Sequence, residues 1–329
     1  MKISKKVMVC SLMLSTFVAF TACGNKSAAS AVNSPAAASK KTVKIAYLPL
    51  THAVPLFVEH EDPVISKDIL KDVNVELIKY GSWPELMDAL NTGKVDGASV
   101  LIELAMKAKE QGIDLKTVAL GHRDGNNVTV AKDINSAVDL KGKTVAVPQR
   151  FSTQNILLYQ MLQNAGLNYS DVKVVELAPA EMPAALSEGR ISGYIVAEPF
   201  GSQSVINGKG KTLLQSQDIW KDSICCGLVL RSDFINNNKD TTQELVNGYA
   251  KAGKEAEAKD ENIQKFASKY MSVDKNVLDL SLKATTYTNL KINEKDYEQL
   301  TKYLTTMELS KNPPKYSDFV DNSFIDNAE

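Results

Sequence analysis

Metal coordination is the first chemistry that the residue types of this 329-residue chain suggest. Cys225 and Cys226 are adjacent, and the chain has three histidines, His52, His60 and His122. Thiolate sulfur and imidazole nitrogen bind zinc and copper, so His52, Cys225 and Cys226 could form a soft metal site. The histidines, however, are not spaced as a metal pair, and no zinc-protease, C-x-x-C or serine-hydrolase motif occurs. We therefore expect two small apolar cysteines packed in a strand, no cofactor and no catalytic residues.

Hydroxyl groups stand where helices are predicted to begin, and they could bind an anion. The loops "LPLTHAVPL" and "YGSWPEL" supply Thr51 and Ser82, and the loop "PQRFSTQN" supplies Ser152 and Thr153. Helix starts expose backbone N–H groups, which favour an anion without any cationic side chain. The alternative is that these hydroxyls only cap helices. Trp83 could likewise close a core or present its flat face to a planar ligand.

An internal repeat indicates which elements position these loops. The segment "ALNTGKVDGASV" (Ala89–Val100) matches "ALSEGRISGYIV" (Ala185–Val196), and two upstream segments echo each other in the same order. Each copy reads as strand, loop, helix, strand, loop, helix, strand. Such alternation is typical of a parallel sheet covered by helices on both faces. The sequence therefore predicts two similar α/β lobes.

Two β-like runs, "NNVTVAKD" and "CCGLVLRSDF", are placed to carry the chain from the first lobe to the second and back. The helical segments after residue 240 then return to the first lobe. We predict a first lobe of residues 43–129 with 231–329 and a second lobe of residues 130–230. Ligands of open α/β sheets bind outside the carboxyl ends of the strands, so the candidate loops should face a cleft between the lobes.

The N-terminus predicts export. Residues 1–22 combine lysines, a short apolar run and small residues, which is typical of a signal peptide. The next residue, Cys23, completes "FTACG", which resembles a bacterial lipobox whose cysteine receives diacylglycerol; an ordinary secreted protein is the alternative. Residues 23–42 would be the lipidated cysteine and a flexible tether. The net charge of −1 excludes a general nucleic-acid binder.

Several segments together resemble one family. The lipoprotein signal, "IAYLPLTHAVPLFVE", "GSWPELMDALNTGKVDGA", "ALSEGRISGYIVAEPF" and "DIWKDSICCGLVLRSDFI" are similar to the nitrate, sulfonate and bicarbonate group of ABC-importer substrate-binding proteins. Thiamine-precursor binders are its relatives. The resemblance covers residues 43–240 and implies the α/β, two-lobed, type II periplasmic-binding clamshell. The family's ligand positions fall on Thr51, His52, Trp83, Ser152, Thr153, Gln154 and Glu198.

The resemblance and the loops lead to one principal function. We expect a monomeric lipoprotein, held by its lipid alone on the extracytoplasmic face of the cell membrane. It would capture a small oxyanion, such as a sulfonate, nitrate or bicarbonate, and deliver it to an ABC permease and its ATPase.

Three alternatives remain open at this point. The first is an aminopyrimidine thiamine precursor that stacks on Trp83 and hydrogen-bonds to Glu198. The second is a metal-binding protein. The third is an enzyme that resembles a pyrimidine synthase of this fold, but only two of that enzyme's cysteines are present and export would deny the chain its cytosolic substrates. We expect a binding protein and not an enzyme.

Overall fold

The computed structural model describes residues 40–328. The predicted signal peptide, Cys23 and nearly all of the tether lie outside these residues. The described strands are β1 (Lys41–Tyr47), β2 (Val73–Lys79), β3 (Gly97–Leu101), β4 (Leu115–Leu120), β5 (Arg123–Asp124), β6 (Asn126–Val130), β7 (Thr144–Val147), β8 (Lys173–Glu176), β9 (Gly193–Ala197), β10 (Lys211–Gln215), β11 (Cys226–Arg231) and β12 (Thr285–Thr286).

Apart from the run of strands from β4 to β7, the described helices alternate with the strands up to residue 237, and helical segments dominate the remainder. They are α1 (Val54–Glu61), α2 (Trp83–Asn91), α3 (Ile102–Glu110), α4 (Thr153–Asn164), α5 (Met182–Ser187), α6 (Phe200–Ile206), α7 (Ser216–Ile219), α8 (Ser232–Asn237), α9 (Lys239–Ala256), α10 (Glu261–Ser268), α11 (Lys275–Lys283), α12 (Glu294–Thr306), α13 (Tyr316–Phe319) and α14 (Ser323–Asp326). In the described part of the chain, none is both long and apolar enough to cross a bilayer.

Two five-stranded sheets form the framework, and their strand orders repeat. The first sheet has the order β2-β1-β3-β11-β4, and the second has the order β10-β6-β9-β7-β8. In both, three parallel strands come from one copy of the repeat, and an antiparallel strand pairs beside them. Gly93 and Gly189, which are equivalent in the repeat, have φ of +72° and +71°. Glycine adopts this backbone conformation without steric cost, so the repeat keeps it after each helix.

The structure changes where the lobes begin and end. Strand β6 pairs with β9 and β10, so the second sheet begins before residue 130, and β11 pairs with β3 and β4, so the first sheet resumes before residue 231. Strand β1 likewise begins at Lys41, ahead of the predicted residue 43. The two runs that we interpreted as crossing segments are complete strands, because each one fills a vacant antiparallel position beside its sheet. The crossings themselves are the shorter stretches that precede them.

The helical C-terminal part packs mainly on the first lobe, as the sequence predicts. Helix α9 lies against α1, and α14 contacts β4. Two further helices reach the second lobe as well, because α11 contacts α6 and α12 contacts α4. The C-terminal helices therefore contribute to the joint between the lobes.

Candidate functional site

Four metal-ligating side chains converge where the chain passes between the two sheets. His52 lies in the helical turn after β1, His122 follows β4, Cys225 precedes β11 and Cys226 begins it. We call these four residues the His-Cys cluster. Each offers a ligand atom, and these atoms all lie within 4.8 Å of one another. All four residues are at most 1% exposed.

The distances within the His-Cys cluster are those of a compact donor group. His52 Nδ1 lies 3.5 Å from Cys226 Sγ and 3.8 Å from Cys225 Sγ, and the two sulfur atoms are 3.9 Å apart. The two imidazole rings stack with their centroids 3.4 Å apart. The second nitrogen of each ring bonds to backbone: His52 Nε2 lies 3.0 Å from Gly125 O, and His122 Nε2 accepts the N–H of Cys226 at 3.3 Å. Backbone contacts therefore fix the orientation of both rings.

The two thiols have opposite pKa shifts. Burial acts to raise the pKa of Cys225, but contacts with Cys226 and His122 and the proximity of His52 lower it well below its ordinary value. Burial and the neighbouring Cys225 raise the pKa of Cys226. Burial, followed by repulsion from His52, lowers the pKa of His122 to about 4. The cluster thus favours one thiolate beside a neutral His122, which suits a soft cation.

A buried carboxyl group lies beside the cluster and joins the two lobes. Glu103 lies in α3 of the first lobe, and its Oε1 is 2.5 Å from Thr153 Oγ1 at the start of α4 in the second lobe. Thr153 Oγ1 also lies 2.9 Å from the carbonyl of Ile224. Burial, followed by repulsion from Cys225, raises the pKa of Glu103 to about 8. A protonated Glu103 can therefore donate to Thr153 while the threonine hydroxyl donates to Ile224.

Amide side chains of the second lobe cover the cluster. Gln154 Nε2 lies 2.6 Å from Asn126 Oδ1 and 3.4 Å from Cys225 Sγ. Within residues 40–328, Gln154 Oε1, Asn126 Nδ2 and His122 Nδ1 are buried without a hydrogen-bond partner. Buried polar atoms are almost always paired, so this concentration of unpaired atoms marks a place where a ligand is expected.

The other residues predicted from the sequence have internal partners. The hydroxyl of Thr51 and its backbone N–H both donate to Glu198 O. The carboxylate of Glu198 accepts from Asn127 Nδ2 and from the N–H of Ser202, and burial raises its pKa. Ser152 caps α4 by accepting from the N–H of Asn155. Thr51 therefore connects the first lobe to the second, and Ser152 acts locally as a helix cap.

Ser82 and Trp83 take no part in the His-Cys cluster. Ser82 is half-buried and precedes α2 without a side-chain capping bond. Trp83 is only 3% exposed and belongs to the hydrophobic core, which was one of its two predicted roles. No hydrogen bond of the described residues joins either side chain to the cluster. The structure thus brings together His52, Cys225 and Cys226, with Thr153 and Gln154 beside them.

His122 was missed by the sequence analysis. It is isolated in sequence from every other histidine and cysteine, so no spacing rule could select it. Its position directly after β4, at the sheet edge where Cys226 begins β11, was the available signal. That signal required the strand pairing of β4 with β11, which the sequence did not give us.

The family relationship follows from residues 36–271, which match the model of the NMT1-like family. The chain belongs to the NMT1-like family. A Staphylococcus aureus structure described as the ligand-binding component of an ABC-type import system with zinc bound is 37% identical. That alignment covers 88% of this chain and 99% of that one, with a TM-score of 0.84. The periplasmic aliphatic sulphonate-binding protein SsuA from Escherichia coli is 19% identical over 87% of this chain and 100% of that one, with a TM-score of 0.71, and supports the fold.

Among curated proteins, the nitrate import ATP-binding protein NrtC from Synechocystis is 27% identical over 234 residues, or 65% of this chain and 34% of NrtC. The chain spans 34–54% of the length of the first three such relatives. These matches confirm the predicted resemblance to the nitrate and sulfonate group, the two-lobed α/β fold, and a binding protein in place of an enzyme.

Proposed function

We propose that this chain is the solute-binding component of an ABC importer and that its solute is a soft metal ion, zinc or cuprous copper, bound by the His-Cys cluster. The observation that carries the proposal is the convergence of four buried ligand atoms within 4.8 Å of one another. Thiolate and imidazole together select soft or borderline metal ions. The zinc in the similar staphylococcal protein supports the same class of ion.

The charge of the site supports a cation over an oxyanion. The groups around it are thiols and the carboxyl of Glu103, and no lysine or arginine of residues 40–328 hydrogen-bonds to the cluster. The only nearby cation suggested by the sequence, Arg150, is exposed and donates to Val174 O. A thiolate and an ionisable carboxyl would repel an anion in a site of low dielectric constant. The hydroxyls of Thr51 and Thr153 are already engaged.

A small oxyanion is the second candidate, and the names of the relatives favour it. SsuA is described as a sulphonate-binding protein and NrtC as a nitrate import protein. Such a solute would need an opening between the lobes that exposes the backbone N–H groups at the start of α4. The aminopyrimidine alternative has less support, because Trp83 is in the core and Glu198 has internal partners.

The partners and the location belong to the same proposal. NrtC is named an ATP-binding protein, which supports delivery of the solute to a permease and its ATPase. We further propose that the protein acts as a monomer and that diacylglycerol on Cys23 holds it on the extracytoplasmic face of the membrane. Labelled palmitate should enter the wild-type protein and not the Cys23→Ala variant. Equal labelling of both would contradict the anchor.

Metal retention tests the choice of solute. Elemental analysis and native mass spectrometry of the protein without its signal peptide should give one bound zinc or copper ion per chain. His52→Gln should lose the ion, whereas His60→Gln, a change at a histidine outside the cluster, should retain it. At a free metal concentration of 100 times Kd, the ion should stabilise the wild-type protein by about 2.7 kcal/mol. A rise in Tm with nitrate, a sulfonate or bicarbonate, and none with either metal, would replace this proposal by the oxyanion.

A further inference from the structure

We propose that only three residues of the His-Cys cluster bind the ion, His52, Cys225 and Cys226, and that His122 is a positioning residue. This inference rests on the proposed function and adds the coordination number and the class of ion. Three soft donors are a complete set for Cu⁺, whereas Zn²⁺ in proteins is almost always four-coordinate. The structure thus assigns the site to a soft monovalent ion and leaves zinc one protein ligand short.

His52 is oriented as a ligand. A carbonyl oxygen can only accept a hydrogen bond, so the contact between His52 Nε2 and Gly125 O requires the proton on Nε2. With that proton on Nε2, Nδ1 is the nitrogen that can bind a metal ion, and it faces both sulfurs at 3.5 and 3.8 Å. Metal-ligating histidines are held in this way, with the other ring nitrogen donating to a backbone carbonyl.

His122 has the opposite arrangement. The backbone N–H of Cys226 can only donate, so His122 Nε2 must accept and must lack a proton. A ring that accepts at Nε2 is neutral and carries its proton on Nδ1. A protonated nitrogen has no lone pair for a metal, and the lone pair of Nε2 is already used. Both nitrogens of His122 are therefore unavailable, although the residue lies within the cluster.

The ring of His122 is held in place by its neighbours in the fold. In the described part of the chain, Nδ1 is buried and has no hydrogen-bond partner. Stacking on His52 keeps the ring in place, with the centroids 3.4 Å apart. His122 thus holds the backbone N–H of Cys226 with one nitrogen and packs its ring against that of His52.

X-ray absorption spectroscopy counts the ligands directly. The wild-type protein loaded with Cu⁺ without oxygen should show two sulfur neighbours and one imidazole. His122→Gln should give the same set, because the glutamine Oε1 can accept the N–H of Cys226. His52→Gln should lose the imidazole signal. Two imidazoles in the wild-type protein, or loss of the imidazole in His122→Gln, would overturn the assignment.

Competition against a chromophoric Cu⁺ chelator supplies an independent measure. His122→Gln should weaken binding about 10-fold, the lower range for residues that orient a ligand, whereas His52→Gln should exceed about 100-fold. Equal losses in the two variants would overturn the positioning role. A wild-type protein that retains neither Cu⁺ nor Zn²⁺ would refute the proposed function and this inference with it. Retention through two sulfurs and two imidazoles would refute this inference alone.

Discussion

Replacing Glu103 by glutamine should remove a pH-dependent loss of stability that the buried carboxyl imposes on the metal-free protein. Glu103 is 0% exposed, and its pKa in the folded protein is about 8, because of burial and of repulsion from Cys225. Its ordinary value is 4.5. The folded state therefore binds the proton more tightly than the unfolded state does. The stabilisation is present in full below pH 4.5 and disappears as the pH rises through 8.

The magnitude follows from the separation of the two pKa values. Between them, each pH unit removes about 1.4 kcal/mol from the free energy of unfolding. The free energy of unfolding of the wild-type protein should therefore fall by about 4 kcal/mol relative to that of Glu103→Gln between pH 5 and pH 8. Glutamine can still bond to Thr153, so the contact between the lobes is kept while its charge is removed.

Urea denaturation at four pH values between 5 and 8, with a chelator present, measures this difference. Other buried groups titrate in both proteins, so the difference between wild type and variant isolates Glu103. Glu188→Gln is the matched control, because Glu188 is an exposed partner of Arg190, and its difference from wild type should stay constant. A Glu103→Gln difference that changes by less than about 1 kcal/mol across this range would refute the raised pKa of Glu103.

Three further outcomes test the joint between the lobes and the site. Arg123 is buried in β5 and pairs with Asp296 at 2.8 Å, so Arg123→Met should lower the free energy of unfolding by about 3–5 kcal/mol. The exposed control Arg190→Met should lower it by less than about 1 kcal/mol. Similar losses for the two variants in urea denaturation would contradict the role of the buried pair. Gly125 has φ of +77°, and an added Cβ would lie 2.5 Å from Thr285 Oγ1, so Gly125→Ala should displace the carbonyl that orients His52. Cu⁺ binding in the chelator assay should then weaken about 10-fold. An unchanged affinity would contradict the orienting role of the Gly125 carbonyl. Small-angle scattering should show a smaller radius of gyration with the metal than without it, and no compaction would argue against closure of the lobes.

The repeat made most of the fold predictable from the sequence. A strand followed by a helix, twice over, has few ways to bury its apolar faces, so matching Ala89–Val100 to Ala185–Val196 was sufficient to predict two similar sheets. The positions of the antiparallel strands β6 and β11 were harder to predict from the sequence. Each pairs with residues distant in sequence, and an isolated apolar run does not reveal whether it crosses between sheets or completes one.

The site residues that could be predicted were those recognisable from their immediate neighbours in the sequence. The adjacent cysteines and the loop position of His52 could be read from the sequence, and they led to metal binding as one of the alternative functions. The preference for the apolar interpretation came from spacing rules, which describe ligands on one element. In this protein the donors come from three separate segments that meet through the pairing of β1 with β3 and of β11 with β3 and β4, so tertiary structure was needed to add His122.

His52 follows β1 and Cys226 begins β11 in the first lobe, and His122 and Cys225 lie in the adjoining crossings, whereas the groups that cover the cluster, Gln154 and Asn126, belong to the second lobe. Because of this division, the affinity for the ion and the time for which the ion stays bound would depend on different parts of the molecule. With the second lobe moved away, the proposed ion would enter at a rate set by diffusion and by dehydration of the metal. The second lobe would then act as a lid, and the proposed ion would leave only after that lobe opens. A transporter that parts the lobes would therefore speed release by opening the route, without having to remove a ligand.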